Sequence, residues 1–293
     1  MIKKPNTESI RLAIQKNGRL SDDCLQLLHS SGLEFESYRR KLFVTCRNFP
    51  LEILYVRDDD IPDLISSGFA DIGIIGENVF LERKSKAKKI LDLNFGFCSL
   101  AVAIPKESTI KSLKELSDKT IATSYVNLTK KFFSMNRVPV KIVEITGAVE
   151  ITPTLGIASA IVDIVSTGST LATNDLKVFQ KIMESNAILI GNKESIQNEN
   201  KNELIEKLLI RLNGVMSAKN YKYIMMNAPK DKLEIIRKLI PGLKSPTISP
   251  LADKDWISIQ TVIQEEVFWQ TIEKLKQIGA QGIIVLPLEK MIY

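Results

Sequence analysis

Histidine is nearly absent: the chain has 293 residues and one histidine, His29. A histidine-based triad or a histidine-rich zinc site is therefore improbable. His29 lies beside Leu25, Leu27 and Leu28 on a short helical pattern, where a surface or half-buried histidine is expected. Cysteine is scarce too. Cys24, Cys46 and Cys98 are widely spaced and unpaired by any Cys-x-x-Cys spacing, which predicts reduced, partly buried thiols and no disulfide framework. No window approaches the roughly 18 apolar residues of a membrane span. The start, Met1-Ile-Lys-Lys-Pro-Asn-Thr-Glu8, has no apolar run behind its lysines. That predicts no secretory signal and, without lipidation motifs, a cytosolic protein with no membrane partner.

What remains is the composition of a soluble globular protein, 44% apolar and 25% charged. The length suits two or three domains. A net charge of +6 fits a polyphosphate substrate as well as nucleic acid. The lysines are scattered, however, and the run Arg83–Lys89 carries no interleaved aromatics. Neither a helix-turn-helix nor an aromatic platform is evident, so no nucleic-acid partner is expected.

The first two-thirds alternates short β-like runs with amphipathic helices. Strands are expected at Ile10–Gln15, Leu51–Arg57, Asp71–Gly76, Lys89–Leu93 and Ser99–Ile104, completing a first α/β unit. Ser21 caps an intervening helix stopped by Gly32, and Asp60–Ser67 is a short helix with Pro62 in its first turn. A second unit follows, with strands Thr120–Thr123, Lys141–Ile145 and Ala160–Ser166 and a helix over Val126–Met135. Two further strands, Val178–Met183 and Ala187–Ile190, lead the chain back. Alternating order predicts mostly parallel sheets with helices on both faces. From Tyr221 the order becomes β-α-β-β-α-β, the ferredoxin-like arrangement. The fold class is thus two α/β lobes plus a small C-terminal α+β domain.

The sharpest motif is Asp163-Ile-Val-Ser-Thr-Gly-Ser-Thr-Leu171. An apolar strand carrying an acid ends in a Ser/Thr/Gly turn that opens a helix. Backbone N–H groups, hydroxyls and the helix dipole converge there, as a phosphate dianion requires, and Asp163 can meet vicinal ribose hydroxyls. On pattern alone this reading leads only narrowly over a capped helix. Lys16 and Arg19 follow the first strand, where a surface turn is the plainer reading. Arg57 precedes Asp58, Asp59 and Asp60, acids that suit magnesium or an ordinary helix start equally. Gly73-Ile-Ile-Gly-Glu-Asn78 permits close backbone approach, with Glu77 and Asn78 able to read an adenine or ribose edge. Thr123-Ser-Tyr125 with Lys130 forms another anion-friendly helix start, and Glu150 follows Thr146-Gly-Ala-Val149.

In this order, the clusters resemble ATP phosphoribosyltransferase. The matching stretches are Ala13–Ser21, Arg57–Pro62, Asp71–Asn78, Ile121–Tyr125, Gly147–Glu150 and Asp163–Leu171. In the tail they are Lys222–Met226, Ser245–Leu251 and Val285–Met291. Together they span nearly the whole chain. The family often shows Ala-Asp-Ala-Ile where this chain has Ala158-Ser-Ala-Ile161, and an arginine where Thr154 stands.

The resemblance implies the long form of the enzyme, with two periplasmic-binding-protein-like lobes and an ACT-like C-terminal domain. It divides the chain into lobe I (1–104 and 185–218), lobe II (105–184) and a regulatory domain (219–293). It implies transfer of phosphoribosyl from phosphoribosyl pyrophosphate (PRPP) to N1 of ATP, with Mg2+ on the pyrophosphate, as the first step of histidine biosynthesis. By the same likeness, Asp163, Glu150, Ser166, Thr167, Gly168, Ser169 and Thr170 hold PRPP. Lys16, Arg19, Arg57, Glu77, Asn78, Tyr125 and Lys130 meet ATP and pyrophosphate. Histidine, as feedback inhibitor, sits between ACT-like domains near Asn227, Thr247 and Ser249 of a dimer or hexamer. The competing reading is a cytosolic two-lobed ligand-binding protein without catalysis.

Overall fold

The computed structural model describes residues 9–36 and 41–292. The opening Met1–Glu8, read above for a leader, lies outside them. Among the described residues no helix is long and apolar enough to cross a membrane. The chain divides into two compact units. Leu27–Gly32 and the described residues from Glu206 onward form one, and the rest form the other.

The larger unit holds two sheets. Its chain runs β1 (Ile10–Gln15), α1 (Ser21–Ser30), β2 (Phe43–Thr45), β3 (Leu51–Val56), α2 (Ile61–Ser66), β4 (Ile72–Gly76), α3 (Glu77–Glu82) and β5 (Lys88–Asp92). It continues with β6 (Cys98–Pro105), β7 (Thr120–Thr123), α4 (Val126–Met135), β8 (Lys141–Glu144), β9 (Ala160–Val165), α5 (Ser169–Thr173), β10 (Leu176–Ser185) and β11 (Ala187–Gly191). Helices α6 (Lys193–Gln197) and α7 (Glu199–Ala218) follow, and α7 belongs to the smaller unit from Glu206 onward. The sheet orders are β2-β3-β1-β4-β11-β5 and β10-β6-β9-β7-β8.

Two expectations are corrected here. Ser99–Ile104 does not close the first α/β unit: β6 lies inside the second sheet, paired with β9 and β10. An apolar strand shows that it is buried, not which sheet buries it. The sheets are also mixed rather than mostly parallel. β1 pairs in parallel with β3 and β4, and β7 with β8 and β9. The strands by which the chain crosses between sheets run against their neighbours: β6 against β9, and β11 against β4 and β5.

One buried acid fastens the first sheet to the helices that follow it. Asp71 is 3% exposed. It accepts from the Arg11 amide at 2.8 Å, the Ser195 hydroxyl at 2.6 Å and Lys201 Nζ at 2.6 Å. A buried carboxylate is tolerable only when paired and bonded in this way.

The smaller unit contains β12 (Tyr221–Pro229), α8 (Leu233–Leu239), β13 (Thr247–Pro250), β14 (Trp256–Gln264), α9 (Glu265–Gln277) and β15 (Gln281–Pro287). The antiparallel order is β13-β14-β12-β15. Period-2 alternation turns Ile224, Met226, Ala228, Ile257, Ile259 and Ile263 onto one face, where Ile236, Phe268 and Leu275 cover them. Gly279, at φ +96°, ends α9, and the Ala280 amide reaches back to the Leu275 carbonyl at 2.9 Å. This is the β-α-β-β-α-β unit expected from the tail.

Candidate active site

In lobe I the parallel strands β3, β1 and β4 end along one edge. The Lys16 amide donates to the Val56 carbonyl at 2.8 Å, so pairing continues past Gln15. Lys16 and Arg57 therefore stand at adjacent strand ends, and Glu77 opens α3 at the end of β4. In α/β sheets the carboxyl ends of parallel strands are where ligands bind. Arg57 is exposed and Lys16 half-buried. Arg19 is exposed and donates through Nη1 to the Gly96 carbonyl. Ser21 is the first residue of α1, and its hydroxyl donates to the Lys16 carbonyl.

In lobe II the parallel strands β8, β7 and β9 end along a corresponding edge. Tyr125 follows β7, Glu150 follows β8 in a short 3-10 turn, and the hydroxyl loop follows β9. Gly168 has φ +79° and precedes α5, and a Cβ there would meet only Val165 Cγ1, at 4.0 Å. Thr167 and Ser169 share a hydroxyl hydrogen bond of 2.9 Å. Ser166, Thr167, Ser169 and Thr170 are exposed, so the loop presents its polar groups outward.

Asp163 lies half-buried on β9 beneath this loop, accepting from the Ile164 amide at 2.7 Å. Burial raises its pKa above the usual carboxylate range, the Ile164 amide opposes the rise, and the nearby Glu150 carboxylate adds to it. Tyr125 is pushed upward by burial and by Asp163, with Asp58 of lobe I contributing repulsion as well. Asp163, Glu150 and Tyr125 are thus one electrostatic cluster, assembled from three strand ends. A cleft of about 680 Å3 is lined by Val165 and Ser166 at the end of β9, by Glu77 of lobe I and by Cys98, Ser99 and Ser185 of the crossing strands; Asp163, Glu150 and Tyr125 are not among its lining residues.

Several expected ligand groups are already engaged. Asn78 is 1% exposed. Its Oδ1 accepts from Ser185 Oγ at 2.9 Å and its Nδ2 donates to the Tyr125 hydroxyl at 3.0 Å. Asn78 therefore does not present its amide to a base edge; it bridges the lobes. Gly76 is required for this, because a Cβ there would collide with Asn78 Oδ1. Glu77 accepts from Lys89 Nζ at 2.8 Å while still lining the cleft.

The start of α4 is not an open anion site either. Thr123 is fully buried and donates to the Val162 carbonyl at 2.7 Å. The Asn127 and Leu128 amides donate to the two carboxylate oxygens of Glu82, at 2.8 and 2.9 Å. Lys130, on the same helix, is exposed and lines a separate hollow with Phe133, Arg137 and Val140. The Asp58–Asp60 run forms a 3-10 turn in which Asp59 pairs with Arg83 at 3.1 Å. Among the described residues no three His, Cys, Asp or Glu side chains cluster as a metal cage. His29 is exposed, and Cys24, Cys46 and Cys98 are buried.

Sequence reasoning missed Glu82 and Ser185. The only signal for Glu82 was its spacing of four residues from Asn78, which places both on one helix face.

In the smaller unit Asn227 pairs with Ser258, which pairs in turn with Ser249. Thr247 lies two residues from Ser249 and so on the same face. The three expected effector residues thus share the sheet face opposite the apolar core.

Two mixed α/β lobes joined through α3 and the start of α4, one of them carrying a hydroxyl loop above a half-buried carboxylate, with a separate antiparallel α+β unit, define a two-lobed α/β protein with an appended small domain. The model of the ATP phosphoribosyltransferase family matches residues 57–214, and that of its C-terminal domain matches 218–290. The ATP phosphoribosyltransferase of Bacteroides thetaiotaomicron is 48% identical over 97% of this chain and 99% of its own. That of Cytophaga hutchinsonii is 43% identical over 97% and 98%. Among solved structures, the ATP phosphoribosyl transferase (HisG:HisZ) complex from Thermotoga maritima matches with TM-score 0.59 and 27% identity, covering 69% of this chain and 98% of that one. The chain belongs to the ATP phosphoribosyltransferase family, in its long form with a C-terminal domain. It is a pentosyltransferase of histidine biosynthesis.

Proposed function

We propose that the chain transfers phosphoribosyl from PRPP to N1 of ATP at the junction of its two lobes. The observation that carries this reading is the grouping of Asp163, Glu150 and Tyr125 under the hydroxyl loop. Asp163 accepts from the ribose hydroxyls of PRPP. The backbone N–H groups and hydroxyls of Ser166, Thr167, Gly168, Ser169 and Thr170 hold the 5′-phosphate. Lys16, Arg19 and Arg57, at the strand ends of lobe I, take the triphosphate and the departing pyrophosphate. Adenine N1 forms the new bond to C1′ as the bond from C1′ to the pyrophosphate oxygen breaks, with inversion. A neutral ring nitrogen needs no strong general base, in keeping with a single, exposed histidine. The protein's contribution is positioning and electrostatic stabilisation.

Two neighbouring carboxylates, one with a raised pKa, suit a Mg2+ ion that takes most of its oxygens from pyrophosphate and water. Asp163 and Glu150 would hold it, and when bound it neutralises charge on the leaving pyrophosphate. In the small unit, Asn227, Thr247 and Ser249 form the histidine site, giving feedback inhibition in a cytoplasmic homo-oligomer, dimeric or hexameric. The roles of Asn78 and Lys130 as ATP contacts are withdrawn, since one bridges the lobes and the other faces a different hollow.

Asp163→Asn tests the assignment. It is expected to cut pyrophosphate release from ATP plus PRPP and to weaken PRPP binding while the fold persists. Unchanged steady-state kinetics would remove Asp163 from the site.

A further inference from the structure

We infer that Glu82 is a positioning residue for phosphoribosyl transfer: from lobe I it clasps the N-terminus of α4 and so fixes where lobe II presents its loop. The inference rests on the assignment of PRPP to lobe II and ATP to lobe I. Glu82 lies at the end of α3 and is 9% exposed. Its two carboxylate oxygens take the Asn127 and Leu128 amides, and its backbone carbonyl takes Asn127 Nδ2 at 3.0 Å. The first helical amides lack partners within their own helix, and a carboxylate satisfies them with favourable dipole alignment. A cap normally comes from the residue just before the helix. Here it comes from more than forty positions away in sequence, across the junction of two sheets.

One turn earlier on α3, Asn78 makes the second half of the clasp. It bonds Ser185, at the end of the crossing strand β10, and the hydroxyl of Tyr125, the residue preceding α4. Both ends of the clasp therefore converge on one short stretch, Tyr125 to Leu128. Tyr125 in turn stands within electrostatic reach of Asp163. A shift of α4 relative to α3 moves Tyr125, and with it the alignment of the PRPP loop against the strand ends of lobe I. The ribose and 5′-phosphate of PRPP are held by lobe II, and lobe I meets only its pyrophosphate. Losing the clasp should therefore harm the reaction of the two bound substrates far more than the binding of the first.

The test compares Glu82→Ala and Glu82→Gln in the full chain. Misplacing reactants by about 1 Å costs on the order of a hundredfold in rate. Glu82→Ala is expected to lower kcat by about that factor while the Kd for PRPP alone changes by less than about threefold. Glu82→Gln keeps one of the two acceptors and is expected to recover roughly a tenth or more of the wild-type rate. If Glu82→Ala does not fold, Glu82→Gln gives the same split at smaller amplitude. A kcat near wild type, or PRPP affinity falling in step with kcat, overturns the proposal.

Spin labels at Ser67→Cys and Ser134→Cys, both exposed and one in each lobe, give a readout independent of turnover. A single narrow distance should broaden in Glu82→Ala; an unchanged distribution also overturns the clasp. Absence of pyrophosphate release by the wild type would instead sink the functional reading, while the distance measurement still decides the clasp.

Discussion

Replacing Gly168 by alanine separates the loop's contribution to stability from its contribution to PRPP binding. Gly168 sits at φ +79°, and the added methyl would meet only Val165 Cγ1, at 4.0 Å. There is no clash, so the cost is conformational: about 1–2 kcal/mol for an L-residue held left-handed. The chain can relieve that strain by rotating the 168–169 peptide, which swings the Ser169 amide away from the point where loop and helix converge. A hydrogen bond to a charged group contributes about 1.5–3 kcal/mol. Losing one raises the KM for PRPP roughly tenfold to a hundredfold, at one decade per ~1.4 kcal/mol. The KM for ATP, bound mainly by the other lobe, should move far less. Urea denaturation reports the first quantity and a pyrophosphate-release titration the second. A variant destabilised by about 1 kcal/mol with an unchanged KM for PRPP would refute the phosphate-cradle assignment.

Three other predictions follow from individual side chains. Burial, with Glu150 beside it, raises the Asp163 pKa in the folded state, so the folded protein holds that proton more tightly than the unfolded chain. The resulting penalty is absent below the unfolded pKa and grows as pH rises to the folded one. Asp163→Asn should therefore raise the urea midpoint at neutral pH and not at strongly acid pH, even as activity falls; an unchanged midpoint at neutral pH contradicts this. Lys201→Met leaves Asp71 buried without its cation and should cost about 3–5 kcal/mol in urea unfolding; a loss below ~1 kcal/mol would show that Ser195 and the Arg11 amide suffice. Asn227→Ala should weaken inhibition by histidine roughly tenfold, the loss of about one polar contact, without altering uninhibited turnover. Full inhibition at the original histidine concentration would place the effector elsewhere.

Much of the local structure was legible from residue pattern. Strand β1, strand β7 and helix α4 begin and end where their apolar periodicity and breakers place them. The tail's order of elements, β-α-β-β-α-β, followed from counting them. Strand β2 was not legible, because three residues with an exposed-buried-exposed pattern carry too little periodicity. Helix α3 was not legible either, since six residues after Gly76 do not establish a helical period. The sheet that owns β6 was invisible because burial, not partnership, is what a run such as Leu100–Ile104 encodes.

The same distinction divides the site. Asp163 and the hydroxyl loop are contiguous and could be read directly. Asn78, Glu82 and Ser185 act through partners 45 to 107 positions away, and a list of residue types carries no such pairing. Asn78 and Thr123 looked like ligand groups because polar residues at strand ends often are. Folding had already committed their hydrogen bonds to Tyr125, Ser185 and Val162.

The most direct test of the central claim is pyrophosphate release by the full chain with Mg2+, in the presence of ATP, PRPP or both. Phosphoribosyl transfer at the lobe junction predicts one pyrophosphate released per PRPP consumed, only when both substrates are present, and suppression by added histidine. Release from PRPP without ATP, or no release with both, would contradict it.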